Sequence, residues 1–240
     1  MKNISKVLLA SAMLLGIAGC SGNGGSSSAE DPTKKSEGVM TYAEFDAAKV
    51  DEEVTIETYV QAKQSWWDGK ANLYTQDGDG GYFIYEMAMT EDEFNKLTKG
   101  TKIKVTGFKA EWAGEVEVTE GKFEIEEGSW TATPEDVTAL LGTDDMIKKM
   151  NKLVSFKDMT VEKAYTYKWD GSGSEGDDLY FDVSSNGKTY TFTVESYLCD
   201  KDSDVYKAVK ELKEGDKVDM EGFAYWYEGL NPHITSVTKK

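Results

Sequence analysis

Apolar and polar residues alternate with a period of two along most of the chain. Val54, Ile56, Thr58 and Val60 alternate with charged or polar neighbours, as do Ile103 and Val105, Val116 and Val118, and Phe123 and Ile125. Further on, Phe181 and Val183, then Tyr190, Phe192 and Val194, then Val218 and Met220 repeat the pattern. Such runs are half-buried strands. A few segments break the alternation with helix signals. Thr41-Tyr42-Ala43-Glu44 and Thr90-Glu91-Asp92-Glu93 are capping boxes, the second opening a short helix through Leu97 that Gly100 stops. A helix over about 203–213 carries Val205, Tyr206, Val209 and Leu212 on one face and ends at Gly215. Thr133-Pro134-Glu135-Asp136, with proline at the first helical position, predicts one more helix.

The pattern occurs twice. Gly100, Gly107, Phe108 and Gly114 each recur 115 positions later, as Gly215, Gly222, Phe223 and Gly229, and Trp67-Asp68-Gly69 is echoed by Trp169-Asp170-Gly171. Four matches in register point to one unit used twice. Gly107 and Gly222 fall inside strand patterns, where glycine marks a bulge or bend. Three strands, a helix and two strands is the order of the five-stranded oligonucleotide/oligosaccharide-binding (OB) barrel; an SH3-like barrel or a plain sandwich fits nearly as well. The expectation is a mainly β protein of two tandem OB-fold-like five-stranded barrels, each with one helix between its third and fourth strands. The segment from Leu73 to Tyr85, LYTQDGDGGYFIY, and the later KGTKIKVTGFKAEWAG resemble the hairpin and fourth strand of bacterial extracytoplasmic OB-fold domains. The resemblance covers residues 50–127 well and 153–239 weakly; the second hairpin lacks the QDG element. It implies a fold and little chemistry, because that family serves many functions.

The N-terminus carries an address. Lys2 and Lys6 precede twelve apolar or small residues, 7–18, too few to span a bilayer core of ~30 Å. Ile17-Ala18-Gly19-Cys20 resembles the bacterial lipobox, which implies cleavage before Cys20 and a diacylglyceryl group on its sulfur. Residues 21–38, rich in Gly and Ser, read as a flexible tether. The expected divisions are a signal peptide over 1–19, a tether over 20–38, a first barrel over 39–130 and a second over 131–240. The expected location is the bacterial cell envelope, membrane-anchored by lipid with the barrels extracytoplasmic.

Charge and composition narrow the chemistry. The net charge is −17, and all 27 basic residues are lysine. Without arginine forks, so acidic a chain is a poor candidate for nucleic acid, and neutral glycan, peptide or another envelope protein ranks above it. One His and two Cys furnish neither a four-ligand zinc site nor a disulfide framework, and no cofactor is expected. Cys199 and His233 offer no orienting third group, so no catalytic dyad is expected. Glu115, Glu117, Glu124 and Glu126 alternate with apolar residues and read as a solvated strand face. The expected ligand contacts are aromatic: Trp66, Trp67 and Trp112 in the first copy, Trp169 and Trp226 in the second, near the loops that flank the ligand face of OB folds. The plainer reading is that these rings cover barrel ends or pack between copies. Two alternatives stand beside this binding lipoprotein: a divalent-metal-dependent accessory domain or hydrolase using Asp68, Asp77 and Asp79, and a structural spacer. The loop after Asp77 lacks the twelfth-position Glu of a calcium-binding EF-hand, so no metal site is expected.

Overall fold

The computed structural model describes residues 30–240; the expected signal peptide, Cys20 and the first part of the expected tether lie outside them. The chain is mainly β. Five strands, β1 (Glu53–Lys63), β2 (Lys70–Gln76), β3 (Gly81–Ala88), β4 (Thr101–Trp112) and β5 (Glu115–Ser129), form a closed barrel in the order β1-β2-β3-β5-β4. β1 pairs antiparallel with both β2 and β4, and β3 meets β5 in parallel. Two short helices attend it, α1 (Tyr42–Ala47) before β1 and α2 (Glu91–Lys96) between β3 and β4. Both expected capping boxes are present, with Thr41 and Thr90 accepting from the backbone of Glu44 and Glu93. Ile56, Leu73, Ile84, Ile103 and Val105, fully buried, fill the barrel.

The second half contains β6 (Glu135–Asp136), β7 (Leu153–Tyr167), β8 (Leu179–Ser185), β9 (Lys188–Val194), α3 (Asp204–Lys210), β10 (Lys217–Phe223) and β11 (His233–Lys239). They form one sheet in the order β10-β11-β9-β8-β7-β6, and β10 also pairs with β7. α3 stands between β9 and β10, as α2 stands between β3 and β4, and its core is Phe156, Phe181, Phe192 and Met220. The glycines act as expected. The β4–β5 register shifts between Thr106 and Phe108, and a Cβ on Gly107 would stand 2.6 Å from the Thr119 carbonyl oxygen. The β10–β11 register shifts at Gly222, where a Cβ would stand 2.2 Å from the His233 carbonyl oxygen.

Two segments depart from expectation. Residues 133–136 do not open a helix: Glu135 and Asp136 pair in parallel with Val154 and Ser155, and the chain turns through 3₁₀ helices only at Thr138–Leu140 and Asp144–Lys149. Val137 is fully buried and its N–H donates to the Ser155 carbonyl at 3.0 Å, so burial of one side chain overrides the local capping signal. Residues 30–38 lie against the first barrel. Lys35 Nζ reaches the Asp77 carboxylate at 2.5 Å, both side chains nearly inaccessible to solvent, and Gly78 N–H donates to the Pro32 carbonyl. A buried ammonium requires such a partner, and with the Tyr59 hydroxyl donating to Glu30 and Ser36 N–H to Glu57 it holds a segment of otherwise unstructured composition. Among the described residues no helix is long and apolar enough to cross a membrane.

The halves pack closely. Tyr74 and Phe83 from the first barrel join Ala132, Leu153 and Phe223 in a buried cluster, with Tyr74 stacked on Phe223 at 4.5 Å between centroids. Gln76 Oε1 accepts from the backbone of Leu153 (2.7 Å), and Gln61 Oε1 from that of Ala132 (2.9 Å). Apolar stacking flanked by satisfied polar groups fixes the relative placement of the halves.

Candidate functional site

The β4–β5 turn of the first half meets its repeat-equivalent, the loop after β10. Ala113 and Glu228, 115 positions apart, both have positive φ (52° and 53°), each followed by a positive-φ glycine. Glu228 N–H donates to the Ala113 carbonyl at 2.7 Å, and the rings of Trp112 and Tyr227, also equivalent in the repeat, lie 5.1 Å apart. Beneath these loops opens a cleft of about 690 Å³ lined by both halves.

Rings form much of its wall. β3 contributes Phe83 and Tyr85, the β4–β5 turn Trp112, the turn before β8 Trp169, β8 Tyr180, and the loop after β10 Tyr225 and Tyr227. Phe83 meets Tyr225 edge-on at 5.3 Å, and Tyr225 stacks on His233 at 4.3 Å. His233 is buried and shares a 2.6 Å hydrogen bond through Nδ1 with the Tyr74 hydroxyl. Burial pushes its pKa down to about 3, so it lines the cleft as a neutral ring.

The polar wall consists of acids and amides. Asp178 accepts from Ser196 through its N–H (2.8 Å) and hydroxyl (2.6 Å). Glu195 accepts from the N–H groups of Tyr197 (3.1 Å) and Leu198 (2.8 Å). Burial, with Asp178 nearby, pushes the Glu195 carboxyl up to about 7 against the lowering effect of those N–H donors. Asn72 donates to Gln64 at 2.7 Å, and Thr193 to Asn231 at 2.7 Å, so these side chains are held in place. Among the described residues that line the cleft there is no lysine.

Of the expected contacts, Trp112 and Trp169 are brought to this cleft. Trp67 is exposed beside a separate cavity of about 290 Å³ that shares Gln64 and Asn72 with the cleft. Trp66 packs against the first core and donates through Nε1 to the Met89 carbonyl at 3.0 Å. Trp226 packs against the second core. The sequence reading missed Tyr85, Tyr180, Asp178 and Glu195. Tyr180 and Tyr85 carried a signal: each is an aromatic at a strand position that alternation assigns to solvent.

The acidic strand face needs correcting. Glu124 stays in solvent, but Glu115 is fully buried and Glu117 is 7% exposed, because the second half covers that end of β5. Glu115 Oε2 accepts from Trp226 N–H at 2.7 Å, and burial pushes its carboxyl up to about 8 and that of Glu117 up to about 7. Asp77 is occupied by the N–H groups of Asp79 (2.7 Å) and Gly80 (2.6 Å), the Tyr82 hydroxyl (2.8 Å) and Lys35. It acts as a hairpin cap, and Asp68, Asp77 and Asp79 do not gather as ligands: no group of three or more His, Cys, Asp or Glu side chains among the described residues could hold a metal ion. Cys199 is a free, partly buried thiol pushed up to about 12 by burial, with Glu195 and Asp200 adding.

No family model matches the chain, and no curated protein matches it. Solved structures are similar in outline. A murine DNA-binding protein bound with double-stranded DNA is 13% identical over 78% of this chain and 97% of that one, at a TM-score of 0.34. The p202 HIN1 structure in complex with 12-mer double-stranded DNA is 11% identical over 88% and 100%, at 0.35. A replication protein A heterotrimer bound to single-stranded DNA is 11% identical over 81% and 50%, at 0.33. These neighbours correct the expectation that ranks glycan, peptide or envelope protein as the ligand and sets nucleic acid aside. Likenesses of this size assign no ligand to this chain, so the ligand has to be argued from the cleft.

Proposed function

We propose that the junction cleft captures a small organic cation, its charge on a planar ring or an alkylated nitrogen. One observation carries the reading: Trp112, Trp169, Tyr180, Tyr225 and Tyr227 line a single cleft together with three carboxylates, Asp178, Glu195 and Glu228. Aromatic faces carry negative quadrupole potential, and a cation desolvated against them gains about 2 kcal/mol or more. The cavity lies within the ~300–1,000 Å³ usual for small-molecule sites. The carboxylates supply countercharge, and the fixed amides of Gln64, Asn72 and Asn231 supply orientation. The protein acts by binding, with no reaction assigned.

The second half is read as a second OB-fold-like barrel, because β7-β8-β9-β11-β10 with the β10–β7 pairing repeats the strand order of the first. With the lipobox-like IAGC at residues 17–20, the whole is proposed as an extracytoplasmic lipoprotein of a bacterial envelope, held by a lipid on Cys20. Release of a Cys20→Ala variant into the medium supports that anchor; membrane retention of the variant rejects it.

Calorimetric titration with choline, with its uncharged carbon isostere and with a single-stranded oligonucleotide tests the ligand class. The reading requires choline to bind at least tenfold tighter than the isostere. Equal binding of the two, or binding of the oligonucleotide alone, overturns it.

A further inference from the structure

We propose that Glu195, seated beside Asp178, is the specificity-determining carboxylate of the cleft, and that a cation entering there displaces the proton that Glu195 carries. This deepens the cation reading and rests on it. The geometry is that of a paired acid site. Asp178 immediately precedes β8 and Glu195 immediately follows β9, and the two are linked through Ser196, whose N–H and hydroxyl both bind Asp178. The two N–H donors on Glu195 fix its carboxyl in the cleft wall, so it does not swing out to solvent.

Among the described residues that line the cleft, none offers Glu195 a cation. The titratable groups that act on it are Asp178, Tyr180 on β8, Tyr74 on β2, Tyr225 after β10 and Cys199 on the following turn, and Tyr85, Tyr227 and Glu228 line the same cleft. All are acids, phenols or a thiol, and His233 on β11, which also lines the cleft, is held neutral by burial. Burial disfavours the charged form of Glu195, and the neighbouring Asp178 adds to that cost, so Glu195 keeps its proton. Because burial and Asp178 push Glu195 to about 7, the unliganded cleft is poised to shed that proton near neutrality.

The step balances simply. The Glu195 O–H bond breaks, the proton leaves to solvent, and both electrons of the bond stay on the carboxylate, which pairs with the arriving cation. A neutral ring of the same shape supplies no charge to replace the proton, so the pair discriminates by charge as well as by fit.

The test is titration of the full chain with choline from pH 5.5 to 8.5, repeated in two buffers of different ionisation enthalpy. Affinity should rise about tenfold per pH unit up to about 7 and then level off, with close to one proton released per cation below that point. Glu195→Gln should flatten the profile and weaken binding about tenfold at pH 8.5. Asp178→Asn should move the break to lower pH, because it removes the neighbouring negative charge, and this keeps the test open if the first variant folds poorly. Glu117→Gln is the control: its carboxyl is also pushed to about 7, and the profile should not change. Choline binding without pH dependence, or a slope that survives in Glu195→Gln, overturns the proton exchange and leaves the cation cleft standing. No choline binding at any pH removes both.

Discussion

Phe108 and Phe223 occupy the same place in the two copies, each directly after the glycine that bends its strand, yet their surroundings differ. Phe108 is 38% exposed on the outside of the first barrel. Phe223 is 2% exposed, stacked on Tyr74 in the seam between the halves. The halves do not meet through a two-fold axis. The first offers the face of β2 and β3, and the second offers the end of β10 and the loop after it, so equivalent residues meet different neighbours, as in any heterologous contact. The Trp112 and Tyr227 loops do touch as equivalents, and the cleft opens beside them. The sequence repeat brings one pair of equivalent loops together, while the asymmetric seam supplies the cleft.

The sharpest way to break this comparison is truncation of the two phenylalanines. Phe223→Ala should cost about 3–5 kcal/mol by urea denaturation, since it empties a packed seam with little room to relax. Phe108→Ala should cost less than about 1 kcal/mol. Equal losses would show that the seam does not distinguish the halves.

The two ends of β5 give the next largest effect. Glu115 is pushed up to about 8 from an ordinary value of 4.5, so between those pH values the folded chain holds a proton the unfolded chain has lost. Stability from this group therefore falls as pH rises from about 4.5 to about 8, then levels. Glu117 and Glu195, both pushed to about 7, act in the same direction. His233, pushed down to about 3 from 6.5, acts oppositely and adds stability as pH rises between those values. Together these four groups place the stability maximum on the acid side of neutrality. Glu115→Gln should leave stability at pH 5 nearly unchanged and raise it at pH 9 by on the order of a few kcal/mol. Glu124→Gln, in solvent on the same strand, should change it by less than about 0.5 kcal/mol at either pH. Thermal melts across pH read both.

The same two ends of β5 mark where the sequence stops being informative. Period-two alternation, the two capping boxes and the strand glycines were legible because each is a local signal with a local cause. Glu115 and Glu124 sit in indistinguishable patterns, acid alternating with apolar residue, and what separates them is whether the second half covers that stretch. Lys35 is likewise one lysine in a polar run until Asp77, 42 positions away, comes within reach. Within the cleft, Trp112 and Trp169 were legible as aromatics at loop positions. Asp178 and Glu195 were not, because their pairing depends on β8 and β9 lying side by side and on a turn whose N–H groups face inward.

The smallest expected effect separates two exposed tryptophans that the repeat places alike, Trp67 and Trp169, each followed by Asp-Gly. Their exposures are 73% and 81%, so neither ring holds the fold, and alanine at either position should change stability by less than about 0.5 kcal/mol. They differ in what they border. Trp169 lines the cleft with Asp178 and Tyr180, whereas Trp67 borders the smaller cavity beyond Gln64 and Asn72. Trp169→Ala should therefore weaken choline binding by about 1 kcal/mol, roughly fivefold, through loss of one cation–π face. Trp67→Ala should leave the affinity where it was. If the two variants lose affinity equally, the ligand reaches past the amide pair and the smaller cavity belongs to the same site.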